Sequence, residues 1–83
     1  MKVLYFAWLR QHVGLAEETI DAPATVVTVG DLIGWLRERS PGHHAAFANE
    51  ASIRIAIDQN FADPSDPIAD AAEVAFFPPV TGG

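Results

Sequence analysis

The stretch EVAFFPPVTGG, residues 73–83, decides the fold of this 83-residue chain. Its first part, Glu73–Phe77, has apolar side chains at both alternating sets of positions, as in a strand buried on both faces within a sheet. Pro78 and Pro79 end that strand, because proline has no N–H to donate to a neighbouring strand. The sequence therefore predicts a domain over residues 1–79 and a flexible C-terminal Gly-Gly tail over residues 80–83.

Other strands are predicted before this last one. Residues 2–9 are also apolar on both faces, and residues 17–21 form a short, more exposed strand. Residues 52–58 alternate between isoleucine and smaller or polar side chains, which indicates a half-buried strand. The segment between residue 58 and Glu73 is long enough for one further strand, so a sheet of four to five strands is predicted.

The main helix is predicted at residues 29–39. Thr28 is a good N-cap, and Asp31 suits the positive end of the helix dipole. The spacing i, i+3, i+4, i+7 places one apolar stripe on this helix, formed by Val29, Leu32, Ile33 and Leu36. The segment 40–42, Ser-Pro-Gly, predicts its end, and residues 44–50 predict a short second helical piece. The fold class is therefore α+β, a mixed sheet packed on one main helix.

One helix covers only one face of such a sheet. The first and last strands nevertheless have apolar residues to spare for the other face: Leu4, Phe6, Trp8 and Phe77. An exposed apolar patch of this kind is typical of a protein interface.

The composition narrows the class of partner. The net charge of −6 argues against nucleic acid and anionic membranes. From Asp58 onward the chain has five acidic residues and no lysine or arginine, which predicts a locally basic partner. The chain has no cysteine, which excludes disulfides, zinc thiolate sites and a cysteine nucleophile, and makes the reducing cytoplasm the expected compartment.

No set of side chains within the chain predicts an active site or a metal site. The histidines at positions 12, 43 and 44 are expected to be exposed in loops, and Glu17 and Glu18 to lie on a solvated face. The aspartates at positions 63, 66 and 70 lack the glycine and the closing glutamate of a calcium loop.

The Gly82-Gly83 end suits a tail that threads a narrow channel in another protein, because glycine has no side chain and accepts most backbone angles. Val80 and Thr81 provide side chains that such a partner can contact. A free carboxylate is unreactive until it is activated, typically as a mixed anhydride with AMP. A sulfur nucleophile that then displaced AMP would leave a terminal thiocarboxylate, and that sulfur must come from another protein, because this chain has no thiol.

The whole chain resembles the small, sulfur-carrier subunits of molybdopterin synthase, a family of ubiquitin-like β-grasp proteins. The resemblance is carried by KVLYFA at residues 2–7, by the opening of the helix at Thr28, by IAIDQ at residues 55–59 and most strongly by the ending from Asp70 to Gly83. Residues 42–49 match nothing in the family pattern. Many relatives have asparagine where this chain has Asp58.

The resemblance implies a reaction cycle in which the only reacting group of this chain is Gly83. An ATP-dependent, E1-like enzyme adenylates the Gly83 carboxylate, which becomes a thiocarboxylate and gives its sulfur to cyclic pyranopterin monophosphate. The catalytic side chains belong to the large subunit of a heterotetramer, and this chain binds no cofactor of its own. The family pattern places four residues at the partner interface: Phe6, Arg10, Phe61 and Phe77.

Alternatives remain open from the sequence. One is a sulfur carrier for thiamin, cysteine or thiolated tRNA. Another is a ubiquitin-like modifier whose Gly83 is joined to lysines of target proteins. A third is a β-grasp interaction module whose tail is inert.

Overall fold

A computed structural model describes residues 1–79 of the chain. The elements, in chain order, are β1 (Lys2–Tyr5), α1 (Ala7–Val13), β2 (Glu17–Thr19), α2 (Val29–Arg37), α3 (Pro41–Ala46), a 3₁₀ turn (Glu50–Ser52), β3 (Arg54–Ile57), β4 (Asn60–Ala62) and β5 (Glu73–Phe77). The five strands form one sheet in the order β2-β1-β5-β3-β4. β1 and β5 are parallel, and the other three pairs are antiparallel. The predicted α+β class and mixed sheet are confirmed.

The last strand lies in the centre of the sheet, as its two apolar faces predicted. It pairs with β1 on one side and β3 on the other. Val74 and Phe76 point into the core and are fully buried. Because β5 is central, its end brings the chain out of the middle of the sheet.

The prediction of a strand over residues 2–9 is wrong beyond Tyr5. Ala7 has a φ of 53°, which turns the chain out of the sheet, and α1 begins there. Leu9 is buried in the core from this helix, and Gly14, with a φ of 88°, ends the helix in the left-handed conformation that glycine accepts without strain. A short run of apolar residues does not distinguish a strand from a buried helix, which explains the error.

The main helix begins where it was predicted, at Val29, and ends at Arg37, two residues before the predicted end. The Thr28 side chain accepts from the backbone N–H of Asp31, and the Asp31 carboxylate accepts from the backbone N–H of Thr28, which completes a capping box. The apolar stripe of α2 is buried in the same core cluster as side chains of β1, β3 and β5. The first N–H groups of α2 donate to carbonyl oxygens of Pro64 and Asp66. The loop that contains these two residues therefore also caps the start of the helix.

The segment 40–42, predicted to end the main helix, instead begins the next one. Ser40 caps α3 by accepting from the N–H of His43, and Pro41 occupies the first helical position, where a missing N–H is harmless. Gly42 lies so close to the carbonyl oxygen of His12 that a Cβ there would overlap it. The second helical piece exists but covers residues 41–46 rather than 44–50, with the 3₁₀ turn following it.

The core lies between one face of the sheet and the helices. Its fully buried large side chains come from both layers: Val3, Tyr5, Leu9, Val29, Leu32, Leu36, Phe47, Val74 and Phe76. The rings of Phe47 and Phe76 meet edge to face with centroids 5.0 Å apart, a favourable aromatic geometry. Trp35 is partly buried at the margin of the core, as predicted. Within residues 1–79, none of the helices has the length and apolar character that a membrane crossing requires.

Candidate functional site

The face of the sheet opposite the core carries a band of apolar side chains. Leu4, Ala75, Ala56 and Phe61 stand opposite one another in register on β1, β5, β3 and β4. Residues paired in this way point to the same face, so the four side chains cross the sheet as one band. Phe61 is 84% exposed, which is unusual for a phenylalanine. We call this surface the open face.

A shallow hollow of about 490 Å³ lies on the open face. Its lining combines small side chains with aromatic and proline rings, and has two polar residues: Phe6, Ala56, Gln59, Glu73, Ala75, Phe77 and Pro78. Phe6 is 47% exposed, and the ring centroids of Phe61 and Phe77 are 6.1 Å apart. The hollow is therefore apolar, accessible and next to the end of the central strand.

Three of the four predicted interface residues come together on this face: Phe6, Phe61 and Phe77. The fourth, Arg10, is exposed on α1 and lines a separate depression beside Gly14. The three aromatic side chains agree with one apolar docking surface, and Arg10 lies outside its hollow. That these residues contact a partner remains a prediction.

Trp8 does not belong to the open face, although the alternation predicted it there. It lies in α1, packs against the core and meets the ring of His12 edge-on at 6.4 Å. Leu4 does lie on the open face, opposite Ala75.

The four tail residues predicted to carry the chemistry, Val80, Thr81, Gly82 and Gly83, lie outside the described residues. The structure does describe where the chain leaves the sheet. β5 ends at Phe77, and Pro78 lines the hollow. A partner seated on the open face would therefore meet the chain at the point where the tail begins.

Asp58, which stands where many relatives have asparagine, uses only its ability to accept hydrogen bonds. Its Oδ1 accepts from the backbone N–H groups of Ala72 and Glu73, both at 3.0 Å. Asp58 and Gln59 both have positive φ, 47° and 71°, and form the two-residue turn between β3 and β4. An asparagine carbonyl oxygen accepts in the same way, so this departure from the family pattern preserves the contact.

A buried polar cluster lies at the other side of the sheet, and two predictions about it are wrong. His43 was expected to be exposed but is 6% exposed, and Glu18 was expected on a solvated face but points inward. Glu18 Oε2 accepts from the Tyr5 hydroxyl and from His43 Nε2, both at 2.7 Å, and its Oε1 accepts from Arg39 at 3.2 Å. His43 Nδ1 lies 2.7 Å from the Ser40 hydroxyl oxygen.

The electrostatics of this cluster favour a charged Glu18. Burial on its own raises the pKa of the Glu18 carboxyl, but the hydrogen bonds from His43 and Tyr5 and the nearby positive charges outweigh burial and lower it. Burial, reinforced by the bond to Glu18, raises the pKa of the Tyr5 phenol well above its usual value. The cluster therefore ties β1, β2 and α3 together around one carboxylate.

One local signal in the sequence indicates that His43 lies in the first turn of a helix. Once Ser40-Pro41 is identified as a helix cap followed by proline at the first position, His43 falls in the first turn, facing back along the chain. Nothing local identifies its partner, because Glu18 lies 25 residues earlier. Among residues 1–79, no three histidine or acidic side chains come close enough together to hold a metal ion.

Comparison with known proteins decides the family. The sequence profile of the ThiS family matches residues 3–83. This chain belongs to the ThiS family. The match includes the open face and continues through the Gly-Gly ending.

Relatives of this ThiS-family chain include the molybdopterin synthase sulfur carrier subunit of Escherichia coli. It is 35% identical over 83 residues, which cover 100% of this chain and 99% of the relative. A similar solved structure is the putative molybdopterin converting factor, subunit 1, from Pyrococcus furiosus. It has a TM-score of 0.76 and 32% identity, and the match covers 95% of each chain.

A third similar structure is small archaeal modifier protein 1 from Haloferax volcanii. It has a TM-score of 0.71 and 26% identity, over 96% of this chain and 97% of that one. These neighbours confirm the predicted ubiquitin-like β-grasp fold for this ThiS-family chain.

Proposed function

We propose that this chain is the sulfur carrier subunit of a molybdopterin synthase and that Gly83 carries the sulfur. The observation that carries this proposal is the full-length similarity to the Escherichia coli subunit of that name, 35% identical over 83 residues. The apolar open face supports it, since a carrier must dock on other proteins. The work takes place in the cytoplasm, in a complex of two small and two large subunits.

In the first proposed step the Gly83 carboxylate is activated. One of its oxygens attacks the α-phosphorus of ATP on an E1-like enzyme, pyrophosphate leaves, and an acyl adenylate forms. A sulfur nucleophile from a persulfide donor then attacks the carbonyl carbon, and AMP leaves. A thiol then attacks the donor's sulfur in the resulting sulfur–sulfur bond, forms a disulfide with the donor and leaves a thiocarboxylate on Gly83.

In the second proposed step the open face docks on the large subunit, and the tail of Val80, Thr81, Gly82 and Gly83 enters that subunit. The sulfur passes to cyclic pyranopterin monophosphate, and two carriers act in turn to form the dithiolene of molybdopterin. The large subunit supplies the catalytic side chains. This chain supplies the activated carbonyl and the docking surface with Phe6, Arg10, Phe61 and Phe77.

Intact mass spectrometry tests the proposal. The protein is incubated with ATP, its adenylating enzyme and a sulfide source. The expected gain equals the mass of one sulfur atom minus that of one oxygen atom, and a variant without Gly83 does not show it. The sulfurated protein, mixed with the large subunit and cyclic pyranopterin monophosphate, is then expected to yield molybdopterin. If the mass does not change while the same enzyme modifies another carrier, the proposal fails.

A second candidate function is protein modification. The fold similarity to small archaeal modifier protein 1, at a TM-score of 0.71, supports protein modification as the second candidate. A modifier would appear as isopeptide conjugates between Gly83 and lysines of other proteins, detectable by mass spectrometry of tagged protein from cells. A sulfur carrier of another pathway would form the thiocarboxylate but would not co-purify with a molybdopterin synthase large subunit.

A further inference from the structure

The primary amines of the chain lie together at one end of the sheet. Of the five basic residues four are arginines, and Lys2 is the single lysine. The Lys2 ammonium lies 3.3 Å from a carboxylate oxygen of Glu17, and the amino group of Met1 donates to the Ile20 carbonyl at 3.4 Å. Both amines therefore sit at the start of β1.

The tail begins at the opposite end of the sheet. β1 runs parallel to β5, with Lys2 opposite Glu73 and Tyr5 opposite Phe76. From Glu73 to Pro79 the chain advances six residues, about 20 Å at about 3.3 Å per residue. A reversal takes about two of the four residues beyond Pro79, which leaves about 7 Å of chain to run back. Even when extended, the Lys2 side chain does not bridge the distance that remains between its backbone and the end of the tail.

Near the start of the tail the positive charge is a guanidinium. Arg54 stands opposite Phe77 in the β3–β5 pair and is exposed. A guanidinium stays protonated in water and does not act as a nucleophile, whereas a lysine ammonium can release its proton and become one. Since the chain also has no cysteine thiol, the surface that the tail can reach carries neither kind of strong nucleophile.

We propose that this arrangement prevents an activated Gly83 from acylating its own chain. The inference rests on the proposed activation of Gly83. The reaction avoided is attack of a lysine amine on the Gly83 carbonyl. A carbon–nitrogen bond forms, the bond to AMP or sulfur breaks, the leaving group departs, and the amine loses a proton to water. The amide product is stable, so each such event would remove one carrier permanently.

The test installs the activation chemically, without the adenylating enzyme. The full chain is made as an intein fusion and released with 2-mercaptoethanesulfonate, which leaves a thioester on Gly83. Two variants place an amine near the tail, Arg54→Lys and Phe61→Lys. A control, Ala72→Lys, adds the same amine at the far end of β5, at an exposed position beside Glu73.

Intact mass distinguishes the products at alkaline pH and micromolar protein. Hydrolysis exchanges the thiol for water, whereas self-acylation loses the thiol without gaining water, and peptide mapping then identifies the joined lysine. A short flexible linker gives an effective amine concentration on the order of millimolar, so acylation between molecules is slow by comparison. Circular dichroism and urea titration establish that each variant is folded.

The wild type and Ala72→Lys are expected to hydrolyse only, while Arg54→Lys and Phe61→Lys form the self-acylated product. Self-acylation at Lys2 or Met1 in the wild type, or at the introduced amine of the Ala72→Lys control, would overturn the inference, and so would its absence from both folded near-tail variants. None of these results depends on the adenylating enzyme. A failure of the proposed function would instead appear as no sulfur gain in the enzymatic assay.

Discussion

Removing the Glu18 side chain is expected to destabilise the domain far more than removing its neighbour Glu17. Glu18→Ala takes the acceptor away from the Tyr5 hydroxyl and from His43 Nε2, both of which lie 2.7 Å from it. Tyr5 is 1% exposed and His43 is 6% exposed, so water cannot readily replace the lost partner. Glu17→Ala removes only a surface ion pair with Lys2.

The expected difference follows from these environments. A buried polar group left without a partner costs about 1–3 kcal/mol, so two such groups give about 2–6 kcal/mol for Glu18→Ala. An exposed ion pair contributes about 0–1 kcal/mol, which sets the expectation for Glu17→Ala. Urea titration followed by tryptophan fluorescence measures both. Equal free energies of unfolding for the two variants would refute the role assigned to the cluster.

The same carboxylate predicts an acid-dependent part of the stability. The pKa of Glu18 is lowered in the folded state, so the charged form stabilises the fold above the ordinary pKa of a glutamate. That contribution disappears as the pH falls through the lowered folded-state value. The stability difference between wild type and Glu18→Gln should therefore shrink as the pH is lowered below about 4. A difference that stays constant through this range would contradict the assignment.

Three further pairs of variants test the packing, the Asp58 contacts and the open face. Gly42→Ala should destabilise the domain by about 1–3 kcal/mol, because its Cβ overlaps a carbonyl oxygen of α1. Gly34→Ala, with open space around it, should stabilise α2 by up to about 1 kcal/mol. Urea titration measures both free energies of unfolding. Asp58→Asn should leave the melting temperature nearly unchanged, whereas Asp58→Ala should lower it. Only the alanine variant loses the acceptor for two backbone N–H groups. Equal melting temperatures for the two variants would contradict this. Phe61→Ala, on the open face, should weaken binding to the large subunit in calorimetry without altering stability. Val27→Ala, at an exposed position in the loop before α2, should not weaken it, and equal affinities of the two variants would exclude Phe61 from the interface.

The elements that the sequence predicted well are those whose signals are local. The helix at α2 combines a capping box with an apolar stripe at helical spacing, and both signals lie within ten residues of Thr28. The strand Glu73–Phe77 is bounded by two prolines that admit no continuation. In both cases the same residues specify the element and its ends.

The predictions failed where a contact distant in sequence decides. Nothing in residues 2–9 shows that Ala7 takes a positive φ, since alanine normally avoids that region. The turn is held because Phe6 donates to the Phe76 carbonyl and accepts from the N–H of Leu9. Likewise His43 on α3 is buried where its ring meets Glu18 of β2. Each outcome depends on tertiary pairing rather than on local spacing.

The central position of β5 links the proposed docking surface to the proposed sulfur-carrying tail. Because β5 lies between β1 and β3, the sheet is incomplete until the last strand has inserted. The same strand gives Val74 and Phe76 to the core and Ala75 and Phe77 to the hollow on the open face. The open face is therefore complete only when the strand that leads to the tail is in place. Under the proposed function, a partner that docked on the open face would thereby select chains whose tail begins at the end of a correctly inserted β5.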